Sequence, residues 1–140
     1  VIAGKKSKAI DYSKVPDNVA VIGEVSNAER EFLFSKAMAL VLPSHLRTEA
    51  FGVVLLEASV RGIPMITCDI QTGTSYVNLH DQTGFVVPPR SPSALANAIN
   101  KLVGDPQLAR RFGLNAKKRF EDQFSPKAVG KSYADLYANL

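Results

Sequence analysis

The sequence predicts an α/β domain built on a parallel sheet with helices covering both faces. Three observations lead there. Short apolar runs alternate with amphipathic helical stretches, and each run is bounded by Gly, Pro, Asp or Ser. A content of 46% hydrophobic, 21% charged and 8% aromatic residues in 140 residues is that of one domain with a single core. The runs are continuously apolar, as strands buried on both faces require.

Taken in order, residues 1–3, 19–22, 39–42, 64–68 and 84–87 read as strands, about five in all. A helix is expected over residues 27–38, with Ser26 as N-cap and Glu29 three positions on to complete a capping box. A second is expected over residues 50–61, where Val53, Leu56 and Val60 form one apolar stripe and Gly62 supplies the stop. Ser91 and Pro92 read as N-cap and first residue of a helix reaching Val103. Helices over residues 106–122 and 126–139 complete the series, and neither a repeat nor an internal domain boundary is marked.

The net charge of +4 is unevenly carried: residues 1–100 hold nine basic and nine acidic side chains, residues 101–140 eight and four. The helical spacing of Lys101, Arg110, Arg111, Lys117, Lys118, Arg119, Lys127 and Lys131 reads first as a solvated helix face. Peripheral association with an anionic membrane surface is the second reading. No motif that reads nucleic acid accompanies the charge, so nucleic acid is not an expected partner.

No stretch approaches the roughly 18–20 apolar residues that span a bilayer, and no signal-peptide core is present. The single cysteine, Cys68, falls inside an apolar run, excludes an intramolecular disulfide and fits a cytoplasmic core thiol.

Chemistry concentrates in residues 43–58, a strand end, a polar loop and a helix start. Ligands of open parallel sheets settle beyond the carboxyl ends of the strands, where a helix N-terminus offers unpaired N–H groups and a positive partial charge to phosphate. Phe51, Gly52, Val53 and Val54 are placed for that role. Gly52 lets a diphosphate or sugar approach the backbone, whereas an ordinary helical glycine would only cost about 1 kcal/mol. If both were helical, Glu49 and Glu57 would stand about 12 Å apart along the axis, the span of a diphosphate with a hydroxylated ring at each end. A carboxylate grips vicinal hydroxyls with paired hydrogen bonds. A carboxylate favouring a helix dipole and a second one facing solvent is the plainer reading of a bare pair.

The neighbouring residues decide between these. Glu49-x7-Glu57 enclosing Ala50-Phe51-Gly52, then Glu57-Ala58, Gly62-x-Pro64 and Thr83-Gly84, resembles the large family of retaining GT-B glycosyltransferases of the group 1, or family 4, type. Asn18-Val19 through Gly23-Glu24-Val25 resembles the strand before that family's base site, and Leu42-Pro43-Ser44 the strand before its donor loop. The resemblance covers essentially the whole chain. It implies a Rossmann-like, doubly wound parallel sheet forming the C-terminal half of a GT-B fold, with the domain's first βα unit absent.

It further implies that Glu57 binds ribose hydroxyls and that Glu49 faces the donor sugar as the catalytic-site carboxylate. Backbone N–H groups of Phe51, Gly52, Val53 and Val54 hold diphosphate and sugar, and Val25 and Arg30 border the nucleobase. The donor is a nucleoside-diphosphate sugar, GDP- or UDP-linked, and no other cofactor is expected. The acceptor, a glycan or lipid-linked sugar, belongs to an N-terminal domain outside these residues. The wording of residues 73–78 resembles members that build bacterial surface polysaccharides by mannosyl or rhamnosyl transfer. The helix from Pro126 would pack toward the N-terminal domain, exposing Val129, Tyr133, Leu136 and Tyr137, a strip that reads equally as core.

An absent first strand would sit mid-sheet. Its loss is expected to be compensated either by pairing residues 1–3 with 39–42 or by strand complementation from another protomer. Thr72, Gly73, Thr74 and Ser75 read first as a cap for the next helix and second as a lining of the donor pocket.

Other chemistries fit poorly. No Gly-x-Gly-x-x-Gly follows a strand, residues 4–7 lack the earlier glycine of a Walker loop, and His45 and His80 have no partner at metal-ligand spacing. A GT-B-like sugar-nucleotide epimerase and a non-catalytic sugar-nucleotide-binding module are the alternatives, separated by sugar inversion without acceptor and by donor binding without turnover.

Overall fold

The computed structural model describes residues 1–5 and 11–139. It divides into two compact units, Val1–Lys36 and Ala37–Leu140. The division follows the first helix directly, where no Pro- or Gly-rich linker marks it.

The first unit holds β1 (Ile2–Ala3), a 3-10 turn (Tyr12–Lys14), β2 (Val21–Gly23) and α1 (Asn27–Lys36). Its strands pair in parallel, Ile2 beside Val21 and Ala3 beside Gly23. The capping box forms as expected: Glu29 N–H donates to Ser26 Oγ at 3.3 Å, and Ser26 N–H donates to Glu29 Oε2 at 2.8 Å. The Ser26 hydroxyl also donates to Glu29 Oε2, at 2.7 Å, which keeps that carboxyl below its ordinary range.

Of the two expected compensations, pairing of residues 1–3 with 39–42 is not among the strand pairs of the described residues. Among the described residues β1 pairs only with β2, its sequential neighbour, so its ladder bonds stay within its own unit.

The second unit runs β3 (Leu40–Leu42), α2 (Val53–Val60), β4 (Met65–Cys68), α3 (Gly73–Val77), β5 (Gly84–Val87), α4 (Pro92–Gly104), α5 (Pro106–Arg119), a π turn (Phe120–Phe124) and α6 (Pro126–Ala138). Its sheet is parallel with order β3-β4-β5, in the register Leu40, Met65, Gly84 through Leu42, Thr67, Val86. All four residues of β4 are buried.

Successive strand side chains point to opposite faces. Ile66 and Cys68 share a cluster with Phe85, Val87, Ala98, Leu102 and Phe112, which brings in α4 and α5. The alternate residues Met65 and Thr67 meet α2 and the end of α3: the Ser59 hydroxyl lies 3.5 Å from Met65 Sδ, and Asn78 Nδ2 donates to Thr67 Oγ1 at 3.0 Å. Helices therefore cover both faces, the α/β arrangement anticipated. Cys68 is the expected core thiol, and burial pushes its pKa up.

Three helices start by one device, an N-cap oxygen followed by proline. Ser91 Oγ accepts from Ala94 N–H, Asp105 Oδ1 from Leu108 N–H and Ser125 Oγ from Ala128 N–H, at 3.4, 2.9 and 3.1 Å.

Two helix boundaries differ from expectation by three residues. The helix expected to start at Ala50 starts at Val53, because Gly52 is left-handed, with φ 76° and ψ 66°. The helix expected to reach Asp122 ends at Arg119, where the chain loosens into the π turn, closed by Ser125 N–H donating to Phe120 O at 2.9 Å. Along α6, Val129, Tyr133, Leu136 and Tyr137 lie exposed rather than in the core. No helix among the described residues is long and apolar enough to cross a membrane.

Candidate functional site

Between β3 and α2 the chain folds a loop tied from within. Glu49 sends its carboxylate forward, so that Oε1 accepts from Gly52 N–H at 3.0 Å. Gly52 is buried, and its carbonyl accepts from Leu55 N–H at 2.8 Å. That leaves Val53 and Val54 as first-turn residues whose N–H groups have no carbonyl one helical turn back, where anions are favoured.

A second loop, after β4, braces the first. Gly73 N–H donates to Ala50 O at 2.8 Å. A Cβ on Gly73 would stand 2.5 Å from Phe51 Cδ2, so only glycine lets the two loops approach this closely. Thr72 occupies the N-cap position of α3 but makes no side-chain cap bond. Its hydroxyl lies 3.2 Å from that of buried Thr74, which corrects the capping role expected for it and leaves a hydroxyl pair on the loop that braces residues 49–52.

Glu57 is half-buried, the fifth residue of α2. Because the helix begins at Val53, Glu49 lies outside it, so the helical condition on the separation of the two carboxylates is not met. The cause is the left-handed Gly52, which redirects the chain between them.

The structure thus joins Glu49, Phe51, Gly52, Val53 and Val54 to the residues 72–74 loop in one unit, with Glu57 on the helix that follows. Val25 and Arg30 belong to the first unit, both half-buried, Val25 before the Ser26 cap and Arg30 in the first turn of α1.

Sequence reasoning missed one group. The Phe124 ring meets Phe51 edge to face, with centroids 6.2 Å apart at 75°, and meets Tyr76 at 5.7 Å and 88°. Arg119 places its guanidinium 5.1 Å from the Tyr76 ring and 5.5 Å from the Phe124 ring. An aromatic residue ahead of a Ser-Pro helix start was the sole local signal.

Residues 1–119 match the model of the family described as glycosyl transferases group 1. The chain belongs to this family. It is 38% identical over 123 residues to the O-antigen chain mannosyltransferase C of Escherichia coli, covering 88% of this chain and 33% of the relative. It is 45% identical over 108 residues to the D-rhamnosyltransferase WbpZ of Pseudomonas aeruginosa, covering 77% and 28%. The fold superimposes on Alr3699/HepE of Anabaena, solved in complex with UDP, with a TM-score of 0.74 at 24% identity, covering 86% of this chain and 32% of that one. The group 1 chain spans about a third of the length of these relatives, and its α/β arrangement is that of the C-terminal domain of GT-B glycosyltransferases.

Proposed function

We propose that these residues are part of the C-terminal donor-binding domain of a retaining glycosyltransferase, which transfers a hexose from a nucleoside-diphosphate sugar to an acceptor hydroxyl. The main support is the loop at residues 49–54: a buried left-handed glycine opens α2, and Gly73, between the paired Thr72 and Thr74 hydroxyls, donates its N–H to Ala50 O in that loop. Oxygen atoms of a diphosphate are suited to the first-turn N–H groups of α2, and a hydroxylated ring to the flanking carboxylates.

In this reading Glu57 holds the ribose, Val25 and Arg30 border the base, and the Glu49 oxygen not bonded to Gly52 N–H meets the sugar. The anomeric C–O bond to the diphosphate breaks, the acceptor oxygen bonds the same face of that carbon, and the departing diphosphate takes the acceptor proton. The N–H groups of Val53 and Val54 stabilise the charge that gathers on the leaving group.

The mannosyl and rhamnosyl names of the two relatives support a GDP-linked donor as the first to test, with UDP-linked donors second. The acceptor, a glycan or lipid-linked sugar, would be supplied through an N-terminal domain, on the cytoplasmic side of a membrane to which the basic C-terminal helices are suited. The test is calorimetric titration of the chain with UDP, GDP, ADP and their sugars beside Glu57→Ala. Selective binding lost in the variant is expected; binding that is equal in both proteins, or absent from both, overturns the reading.

A further inference from the structure

We propose that Phe124, held by Arg119 and Tyr76, is a positioning residue for the donor loop, fixing the Phe51 ring and with it the backbone that meets the diphosphate. The inference rests on the donor-loop reading above and adds to it a residue far along the chain.

Phe51 is the one side chain of residues 49–52 that reaches out of the loop to a distant aromatic partner, and it is gripped on two sides. Gly73 gives it a close backbone floor. Phe124 meets it edge to face, the geometry in which a ring's positive rim points at its neighbour's negative face. That contact restrains the direction of Phe51 as well as its burial, and Gly52, the next residue, sets where the first-turn N–H groups of α2 begin.

Phe124 is itself held. Arg119 Nη2 donates to Tyr76 O at 2.6 Å while the guanidinium lies against both the Tyr76 and Phe124 rings. The π turn makes this possible. Five residues of α-helix rotate by about 500°, leaving residues 119 and 124 about 140° apart around the axis. The wider i to i+5 turn brings them back toward one side, and such turns recur at functional sites. The Ser125 N–H and hydroxyl, bonded to Phe120 O and Glu121 O at 2.9 and 2.8 Å, lock the turn. A continuous α-helix would carry the Phe124 ring away from Phe51.

The test uses Phe124→Leu, which keeps an apolar side chain but no ring, beside Phe124→Tyr, which keeps the ring. Affinity for UDP and GDP is read by calorimetry, backbone amide exchange by NMR or mass spectrometry, and global stability by urea unfolding. In Phe124→Leu, nucleotide affinity is expected to fall about threefold to tenfold, as an edge-to-face pair is worth. Exchange should quicken at residues 51–55 while β4 and β5 keep their protection, and Phe124→Tyr should restore both. Wild-type affinity in Phe124→Leu would overturn the proposal. So would faster exchange spread evenly through β4 and β5, the mark of a merely structural residue. If the wild-type chain binds neither nucleotide, the donor-loop reading itself fails and the proposal falls with it.

Discussion

Gly73 lies so close to Phe51 that a Cβ there would meet the ring at Cδ2 at 2.5 Å and the Ala50 carbonyl at 2.9 Å. Gly73 opens α3 with an ordinary backbone conformation, so an alanine would suffer from contact alone. Gly73→Ala should destabilise the chain by about 1–3 kcal/mol through overpacking and weaken nucleotide binding at the displaced loop. Urea unfolding and titration with GDP and UDP check it; a variant unchanged in both would show that the loops separate freely.

Gly52 differs in kind, because its left-handed backbone is costly for any side chain. A Cβ there would also meet Leu55 Cδ1 at 2.9 Å and Leu42 Cδ2 at 3.0 Å, side chains that can yield in part. Gly52→Ala should cost about 1–3 kcal/mol, most of it conformational. Gly104→Ala serves as a control. It ends α4 with nothing within 4 Å of its added methyl and should be neutral or stabilising by up to about 1 kcal/mol. Equal unfolding midpoints for the two variants would contradict the backbone argument.

Asn78 is fully buried and joins β4, β5 and the turn before β5. Its amide donates to Thr67 Oγ1 and Phe85 O, each at 3.0 Å, and its carbonyl accepts from the Thr83 hydroxyl at 2.9 Å. Asn78→Ala would leave those partners buried without it and open a cavity, for a loss of about 2–4 kcal/mol. Calorimetric unfolding measures this, and a loss below about 1 kcal/mol would mean that water replaces the amide.

Glu29 accepts hydrogen bonds from the Ser26 hydroxyl first and the Ser26 N–H second, and both favour its charged form. Its folded pKa is therefore depressed. The stability it contributes is present above its ordinary value of 4.5 and is lost as pH falls through the lower folded value. Exchange protection in the first turn of α1, measured relative to the intrinsic rate at each pH, should fall on acidification below that ordinary value, and Glu29→Gln should abolish this step. The same acid response in Glu29→Gln would assign it to another group.

Much of the fold was legible because its signals are local. The capping box at Ser26 and Glu29 and the Ser91-Pro92 helix start require only a few consecutive residues. The strand at residues 84–87 appears where its apolar run lies. The strand end, loop and helix start within residues 43–58 were legible for a similar reason, since their signals lie in consecutive residues. The start of α2 was not, because an alanine-phenylalanine-glycine sequence is compatible with helix until Gly52 adopts its left-handed state and Gly73 claims the Ala50 carbonyl.

By itself, then, the sequence determined the order of the strands and of the longer helices, the helix caps at Ser26 and Ser91 and the core position of Cys68. Each depends on hydrogen bonds or apolar spacing within a turn or two of chain. Only the tertiary structure decided that β1 pairs with β2, that Glu49 folds onto Gly52 outside the helix, and that Phe51 is held between Gly73 and Phe124. Those outcomes follow from close packing between segments or from the backbone state of one glycine. Neither leaves a periodicity or a spacing in the sequence from which it could be read.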